Sequence, residues 1–330
     1  MALKVAINGF GRIGRCAARI MANDPSVEIV VINDTATRDL TRYLLKYDTV
    51  HGEFDGSVEV VEDDIVLNGK RIKTYSTRAV EELDLTGVDV VLECTGKMLT
   101  TEKSEAYLKQ GAKKVVMSAP AKDATPTYVI GVNESNYKGE AIISNASCTT
   151  NCLGPVTKIL DDKFGIDKAL MTTVHAYTNG QSLVDVKCRD LRRSRAAAQN
   201  IIPTSTGAAK AMKLIMPHLE GRIHGQSMRV PVANVSMVDL TAVLKKGTTK
   251  EELNAAFVEA SGGSHKGLVL VDFDERVSSD FCTSTWSSVV AADMTQVICG
   301  DFVKVMAWYD NEWGYTARLV DMAKFVCGAK

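Results

Sequence analysis

Six residues near the start, Gly9-Phe10-Gly11-Arg12-Ile13-Gly14, constrain the fold of this chain more than any others. They follow a short apolar strand pattern, Val5-Ala6-Ile7, and open a helical pattern over 12–22. The spacing is that of a G-x-G-x-x-G turn. The first glycine permits the tight bend, the second lets a pyrophosphate approach the backbone, and the third lets helix and strand close up. The helix N-terminus then faces the anion. Asp34 ends the next apolar run, about twenty residues after Gly14, where a carboxylate reaches adenosine ribose hydroxyls. Taken alone the hexapeptide also fits a bare glycine-rich turn. With strand, helix and acid in place it predicts a dinucleotide site.

The rest of the first half alternates in the same way. Apolar runs at 27–32, 88–92 and 114–117 read as strands buried on both faces, which belong to parallel sheets covered by helices. A helix is expected over 42–47, and a small antiparallel excursion over 57–73 with a hairpin turn at Asn68-Gly69. Later the texture changes. Longer strands are expected at 169–175, 226–231, 235–244 and 302–309, with helices at 206–216 and 250–261. The 330 residues suggest two domains. The first is expected to be a Rossmann-type, doubly wound α/β dinucleotide-binding domain over 1–147. The second is expected to be an α+β catalytic domain over 148–313 with a mainly antiparallel sheet. An amphipathic helix over about 314–330 is expected to pack back on the first domain.

Composition narrows the function. The formal net charge is −1, with acidic and basic residues interspersed, which gives no general attraction to nucleic acid or to an anionic membrane. The local exception is the cluster Lys187, Arg189, Arg192, Arg193 and Arg195. No apolar run reaches membrane-spanning length, and the first residues lack a signal-peptide pattern. A cytoplasmic protein is expected. The eight cysteines contain no CxxC pair and no zinc-site spacing, so no metal is expected.

The stretch Ser147-Cys148-Thr149-Thr150-Asn151-Cys152 carries the chemistry. It lies between a strand-like run at 141–144 and a helical pattern over 153–160, which places the Cys148 sulfur at a helix N-terminus. Backbone N–H groups and the dipole there favour a thiolate, and the same groups stabilise an oxyanion. The competing reading is a buried structural cysteine. Val174-His175-Ala176-Tyr177-Thr178 closes the strand over 169–174. His175 at that strand end suits a general base, and with Cys148 it makes a candidate Cys/His pair that could also hold the thiolate. Alone it would read as a structural histidine. Cys152, one helical turn after Cys148, reads as a packed neighbour.

In order and over the full length, these motifs resemble the phosphorylating glyceraldehyde-3-phosphate dehydrogenases. The resemblance is carried by residues 5–15, by Ser144-Asn145-Ala146-Ser147-Cys148-Thr149-Thr150-Asn151-Cys152, by Thr173-Val174-His175-Ala176-Tyr177-Thr178, by Pro203-Thr204-Ser205-Thr206-Gly207-Ala208-Ala209-Lys210 and by Trp308-Tyr309-Asp310-Asn311-Glu312-Trp313-Gly314-Tyr315. It implies oxidation of D-glyceraldehyde 3-phosphate to 1,3-bisphosphoglycerate through a Cys148 hemithioacetal and thioester, with His175 as the base. It assigns the substrate phosphate to Thr178 and Arg229. The attacking phosphate goes to Thr149, Arg193, Thr206 and Gly207, and Ser147 is placed at the substrate. The chemistry suits these types, since arginine offers forked donors to phosphate oxygens and Thr206-Gly207 precedes a helix. For a single arginine of the 192–195 cluster, a solvated or subunit-contact role is the alternative. The resemblance assigns Gly9, Gly11, Arg12, Ile13 and Gly14 to the pyrophosphate turn, Asp34 to the ribose, Arg78 near the adenine, and Ser118 and Asn311 to the nicotinamide side. It further implies a homotetramer, with the loop over 177–203 near a subunit interface and a neighbouring cofactor.

Asp34 favours NAD, because a carboxylate repels a 2′-phosphate. Thr35, Lys187 and Arg189 could offset that repulsion, which makes NADP the second candidate. Gly180, Lys187 and Thr35 depart from the pattern of the NAD-specific members. Two rival functions share the fold: an erythrose-4-phosphate dehydrogenase, and a non-catalytic nucleotide-binding protein. Ser205-Thr206-Gly207 speaks against the first; intact Cys148, His175, Arg229 and Asn311 speak against the second.

Overall fold

The computed structural model describes residues 2–188 and 190–329. Its contacts divide the chain into two compact units. One runs to Ile130, takes in Ser135–Ala146 and resumes from Thr316; the other holds Gly131–Glu134 and Ser147–Tyr315.

In the first unit, β1 (Leu3–Asn8), β2 (Val27–Asn33), β3 (Val58–Val61), β4 (Asp64–Leu67), β5 (Lys70–Tyr75), β6 (Val90–Glu93), β7 (Lys114–Met117) and β8 (Ile142–Ser144) form one eight-stranded sheet. The order is β3-β4-β5-β2-β1-β6-β7-β8, parallel from β5 to β8. From β1 the chain builds outward on one side to β2 and β5, then returns to the other side for β6, so the order reverses there and opens a crevice at the strands' carboxyl ends. Helices α1 (Arg12–Ala22), α2 (Arg38–Lys46) and α3 (Thr101–Lys109) connect them.

Residue alternation explains why helices must cover both faces. Val5 and Ile7 of β1 and Val90 and Leu92 of β6 face one core with Ala17, Ala18 and Met21 of α1 and the C-terminal Leu319, Val320 and Met322. Ala6, Val91, Val115 and Met117 face the other, with Tyr107 of α3. Either face left open would put large apolar side chains back in water, at about 1.5–3 kcal/mol each. The excursion at β3–β5 is antiparallel, and Asn68 and Gly69 turn it with φ of 49° and 76°. That left-handed pair is what a two-residue hairpin needs. Helix α2 begins at Arg38, earlier than the apolar pattern predicts, because the Thr37 hydroxyl accepts the Leu40 N–H at 3.3 Å.

The second unit contains α4 (Cys148–Phe164), β9 (Ile166–Ala176), β10 (Ile202–Ser205), α5 (Ala208–Ile215), β11 (Ile223–Val230), β12 (Ser236–Leu244), α6 (Lys250–Gly262), β13 (Val269–Asp272), β14 (Ser288–Ala291), β15 (Gln296–Ile298) and β16 (Phe302–Tyr309). Its sheet has the order β10-β11-β9-β12-β16-β14-β13, with β15 on β16. Pairing is antiparallel except for β9 with β11 and β13 with β14. The parallel β9–β11 pair sets His175 directly beside Arg229. Helix α4 packs against β9, β12, β14 and β16. Elsewhere on this sheet Leu170 is 67% exposed, and Phe302 is exposed too. Helix α7 (Trp313–Val326) follows, and its residues from Thr316 on belong to the first unit. Among the described residues no helix is long and apolar enough to cross a membrane.

Candidate active site

Helix α4 starts at Cys148 because Ser147 caps it. Ser147 is extended (φ −113°, ψ 166°), and its hydroxyl accepts the Thr150 N–H at 3.2 Å. The Asn151 side-chain amide donates to the Ser147 carbonyl at 3.0 Å. Ala146, just before the cap, holds φ at 56°, a left-handed conformation that strains a residue with a Cβ. This turn delivers Cys148 as the first helical residue, partly exposed. Cys152 is fully buried, with its thiol toward the Ala307 carbonyl at 3.8 Å, as a packed neighbour should be.

The Cys148 Sγ lies 3.5 Å from His175 Nε2. His175 is 4% exposed, near the end of β9. Its Nδ1 is 2.7 Å from the Ala176 carbonyl, which can only accept; the tautomer that serves this carbonyl leaves the Nε2 lone pair facing the thiol. Arg229 Nη1 donates to the same carbonyl at 2.9 Å and sits 2.7 Å from Nδ1. Burial first, and then this guanidinium, pull His175 down to about 3. Burial pushes the Cys148 thiol up; Arg229 and hydrogen bonds from Thr149 and the helix backbone act the other way without prevailing. The expected thiolate-stabilising donors are present, and burial works against them. A desolvated sulfur holds its proton more tightly than the helix terminus alone implies.

Tyr309 ties α4 to β9. Its hydroxyl is 2.8 Å from both the Thr149 and the Thr173 hydroxyls, and its ring stands edge-on to His175 with centroids 6.0 Å apart. Sequence reasoning gave Tyr309 no role, although it lies in one of the quoted motifs. Cations gather on the same side. Arg193 donates from Nε to the Thr204 hydroxyl at 3.0 Å, and its charge lowers both His175 and Arg229. Gly207 caps α5 without a side-chain bond, while the Thr206 hydroxyl accepts the Ala208 N–H at 3.2 Å. Thr178 lies exposed just beyond β9, its N–H directed at Gln181. Asn311 is buried, with its Oδ1 accepting from the Ser236 hydroxyl at 2.7 Å.

The first unit carries a separate cavity of about 310 Å³ at the sheet crevice, lined by Gly9, Gly11, Asp34, Thr35, Thr77 and Arg78 among others. Two glycines are obligatory beside it. Gly9 has φ of 92°, and a Cβ there would fall 2.6 Å from the Thr95 N; a Cβ on Gly14 would fall 2.2 Å from the Gly9 carbonyl oxygen. Gly11 caps α1 with no side chain, and a Cβ there would meet nothing, which leaves an open cradle at the helix start. This cradle and the neighbouring acid fit a dinucleotide. Asp34 accepts the Phe10 N–H at 2.7 Å and the Ala36 N–H at 2.9 Å, so it also holds the glycine turn. Arg12 is ion-paired with Asp48. Burial opposes the Asp48 charge, but Arg12 and the His51 and Val50 amides hold the carboxyl down to about 2. Ile13 follows in the same turn. Ser118 donates its N–H to the Glu93 carbonyl at 2.9 Å and does not line this cavity. Lys187 is exposed; Arg189 lies outside the described residues.

Comparison with known proteins identifies the family. Residues 3–101 match the family described as glyceraldehyde 3-phosphate dehydrogenase, NAD binding domain, and residues 147–311 match its C-terminal domain. The glyceraldehyde-3-phosphate dehydrogenase of Geobacillus stearothermophilus is 49% identical over 99% of this chain and 98% of its own. Glyceraldehyde-3-phosphate dehydrogenase 2 of Bacillus subtilis is 47% identical over 99% and 97%. The Podospora anserina enzyme of the same name is 49% identical over 99% and 98%. A nucleotide cradle on one unit, a capped cysteine beside a buried histidine on the other, and full-length likeness to these enzymes make this chain a member of the glyceraldehyde-3-phosphate dehydrogenase family.

Proposed function

We propose that this chain oxidises glyceraldehyde 3-phosphate with NAD and inorganic phosphate, using Cys148 as the nucleophile and His175 as its base. The observation that carries this is the 3.5 Å approach of Cys148 Sγ to His175 Nε2, with Nδ1 tied to the Ala176 carbonyl. Sγ attacks the aldehyde carbon while its proton passes to Nε2, giving a hemithioacetal. Bound NAD supplies the hydride acceptor. The carbon, once oxidised, stays on Cys148 as a thioester. A phosphate oxygen then attacks it, forming the acyl phosphate and returning the sulfur as leaving group.

The anion sites are those the family resemblance implies, and the arginine charges suit them. Arg229 and Thr178 hold the substrate phosphate; Arg193, Thr149, Thr206 and Gly207 hold the attacking one, and Ser147 fixes the turn beneath them. Arg229 is, after burial, the main cause of the low His175 basicity. A phosphate dianion on Arg229 offsets that cation, so substrate binding raises the basicity of His175 when it is needed. In the first unit the turn from Gly9 to Gly14, with Arg12 and Ile13, takes the pyrophosphate. Asp34 takes the ribose, Arg78 lies toward the adenine, and Ser118 and Asn311 serve the nicotinamide side.

The chain also acts as a homotetramer in the cytoplasm. The exposed Leu170 and Phe302 and the loop residues Leu183 (85%) and Leu191 (86%) support assembly. Light scattering that returns the mass of one chain would reject that part.

The test follows reduced nicotinamide by absorbance, with NAD and NADP in parallel and erythrose 4-phosphate as the control substrate. Rapid NAD reduction that requires glyceraldehyde 3-phosphate and phosphate or arsenate is expected. Faster reduction with erythrose 4-phosphate, or none with either substrate, overturns the reading.

A further inference from the structure

We propose that Glu93 and Tyr107, buried behind the nucleotide cavity, are positioning residues for NAD that set the donor and acceptor faces of the cavity wall. The inference deepens the NAD reading above and rests on it.

Glu93 ends β6 and is fully buried, as is Tyr107 on α3. Among the described residues no ion pair involves Glu93. Instead its carboxylate is filled by four donors. Oε1 accepts the Thr95 N–H at 2.8 Å and the Thr95 hydroxyl; Oε2 accepts Asn8 Nδ2 at 3.2 Å and the Tyr107 hydroxyl. A buried carboxyl group without a cation needs its oxygens filled by donors, as these are. Retaining one here calls for a purpose beyond packing.

Its position supplies that purpose. Asn8, Asn33, Thr77 and Thr95 all line the cavity, while Glu93 and Tyr107 do not. A carboxylate can only accept, so Asn8 must turn its Nδ2 toward Glu93 and its Oδ1 away. That Oδ1 accepts Asn33 Nδ2 at 2.6 Å. Asn33 is thereby oriented in turn: its Nδ2 also donates to the Thr77 carbonyl at 3.0 Å and its Oδ1 accepts the Thr77 N–H at 3.1 Å. One carboxyl group thus orders a relay from α3 to the loop after β5, beside Arg78. Tyr107 reinforces it, because burial and then Glu93 push its phenol up, so it stays a donor.

A glutamine at this place has a single acceptor oxygen. The Thr95 backbone can only donate, so the amide nitrogen must face Asn8 and Tyr107. Asn8 then flips to accept, and its own nitrogen meets the Asn33 nitrogen. The conflict travels to the cavity wall, with the Cys148 unit untouched. The experiment titrates NAD directly into the purified full chain by calorimetry and measures turnover alongside. Glu93→Gln is expected to raise Kd and KM for NAD about tenfold, the equivalent of one or two hydrogen bonds. Its kcat at saturating NAD and its KM for the aldehyde phosphate stay within about twofold of wild type. Tyr107→Phe is expected to act in the same direction by about threefold. Unchanged NAD affinity in both variants, with only a lower melting temperature, would make the network structural and overturn the proposal. So would a fall in kcat at constant Kd. If Glu93→Gln fails to fold, unchanged affinity in Tyr107→Phe overturns it alone. A wild-type chain that does not bind NAD removes the underlying reading, whereas firm wild-type binding with unmoved variants removes this proposal only.

Discussion

Cys148→Ser lowers turnover by at least about 10⁴-fold, the scale of loss when a nucleophile is removed from a group that acts as a unit. A serine hydroxyl in this environment faces the same neutral His175, but it gives up its proton far less readily than a thiol and is the weaker nucleophile. Any ester it formed would also yield less readily to phosphate than the thioester does. Ser147 and the Thr150 N–H would still cap α4, so the helix start survives the change. The nucleotide cavity lies in the first unit and contains no part of Cys148. NAD affinity is therefore expected to stay within about twofold of wild type, since no contact of the cradle is lost. Calorimetric titration of NAD beside the turnover assay checks both halves. Near-normal turnover in the serine variant would reject Cys148 as the nucleophile.

His175→Asn lowers kcat by about 10²–10⁴-fold, because no remaining group beside Sγ can accept its proton. The same variant has a signature in stability. Burial, and then the Arg229 guanidinium, hold folded His175 down to about 3, against about 6.5 for a free imidazole. Below about pH 6.5 the unfolded chain therefore binds a proton that the folded chain refuses. The stability contributed by neutral His175 is present above that pH. It is lost by about 1.4 kcal/mol per pH unit as pH falls toward 3. Asparagine has no such titration. Denaturant midpoints of the two proteins should thus converge as pH drops from 7 to 4. A constant difference across that range would contradict a neutral, buried His175.

What was legible in the sequence was mostly local. The glycine turn, α1 and the Asn68-Gly69 hairpin are each determined by a few consecutive residues, and each stands where the spacing places it. Helix α3 was missed because only Ser104 and Tyr107 of its nine residues are buried, which leaves almost no apolar stripe to read. Proximity across the fold was the other gap. Arg229 meets His175 only because β11 runs parallel to β9 in that register, and Tyr309 reaches Thr149 from a strand 160 residues away. The burial of the Cys148 sulfur is hidden from the sequence for a related reason. A helix terminus can be read from a cap, but the burial that opposes it depends on side chains from distant strands. The Glu93–Tyr107 relay was equally hidden, since it links the ends of separate strands through side-chain amides.

The central claim is an acyl group carried on one sulfur. The most direct measurement mixes the enzyme with NAD and glyceraldehyde 3-phosphate without inorganic phosphate, quenches with acid within one turnover, and maps the modified peptide by mass spectrometry. One 3-phosphoglyceroyl group on Cys148 is expected, and it disappears when phosphate is added before the quench. NAD reduction with no acyl group on Cys148, or with the label on another residue, would contradict it.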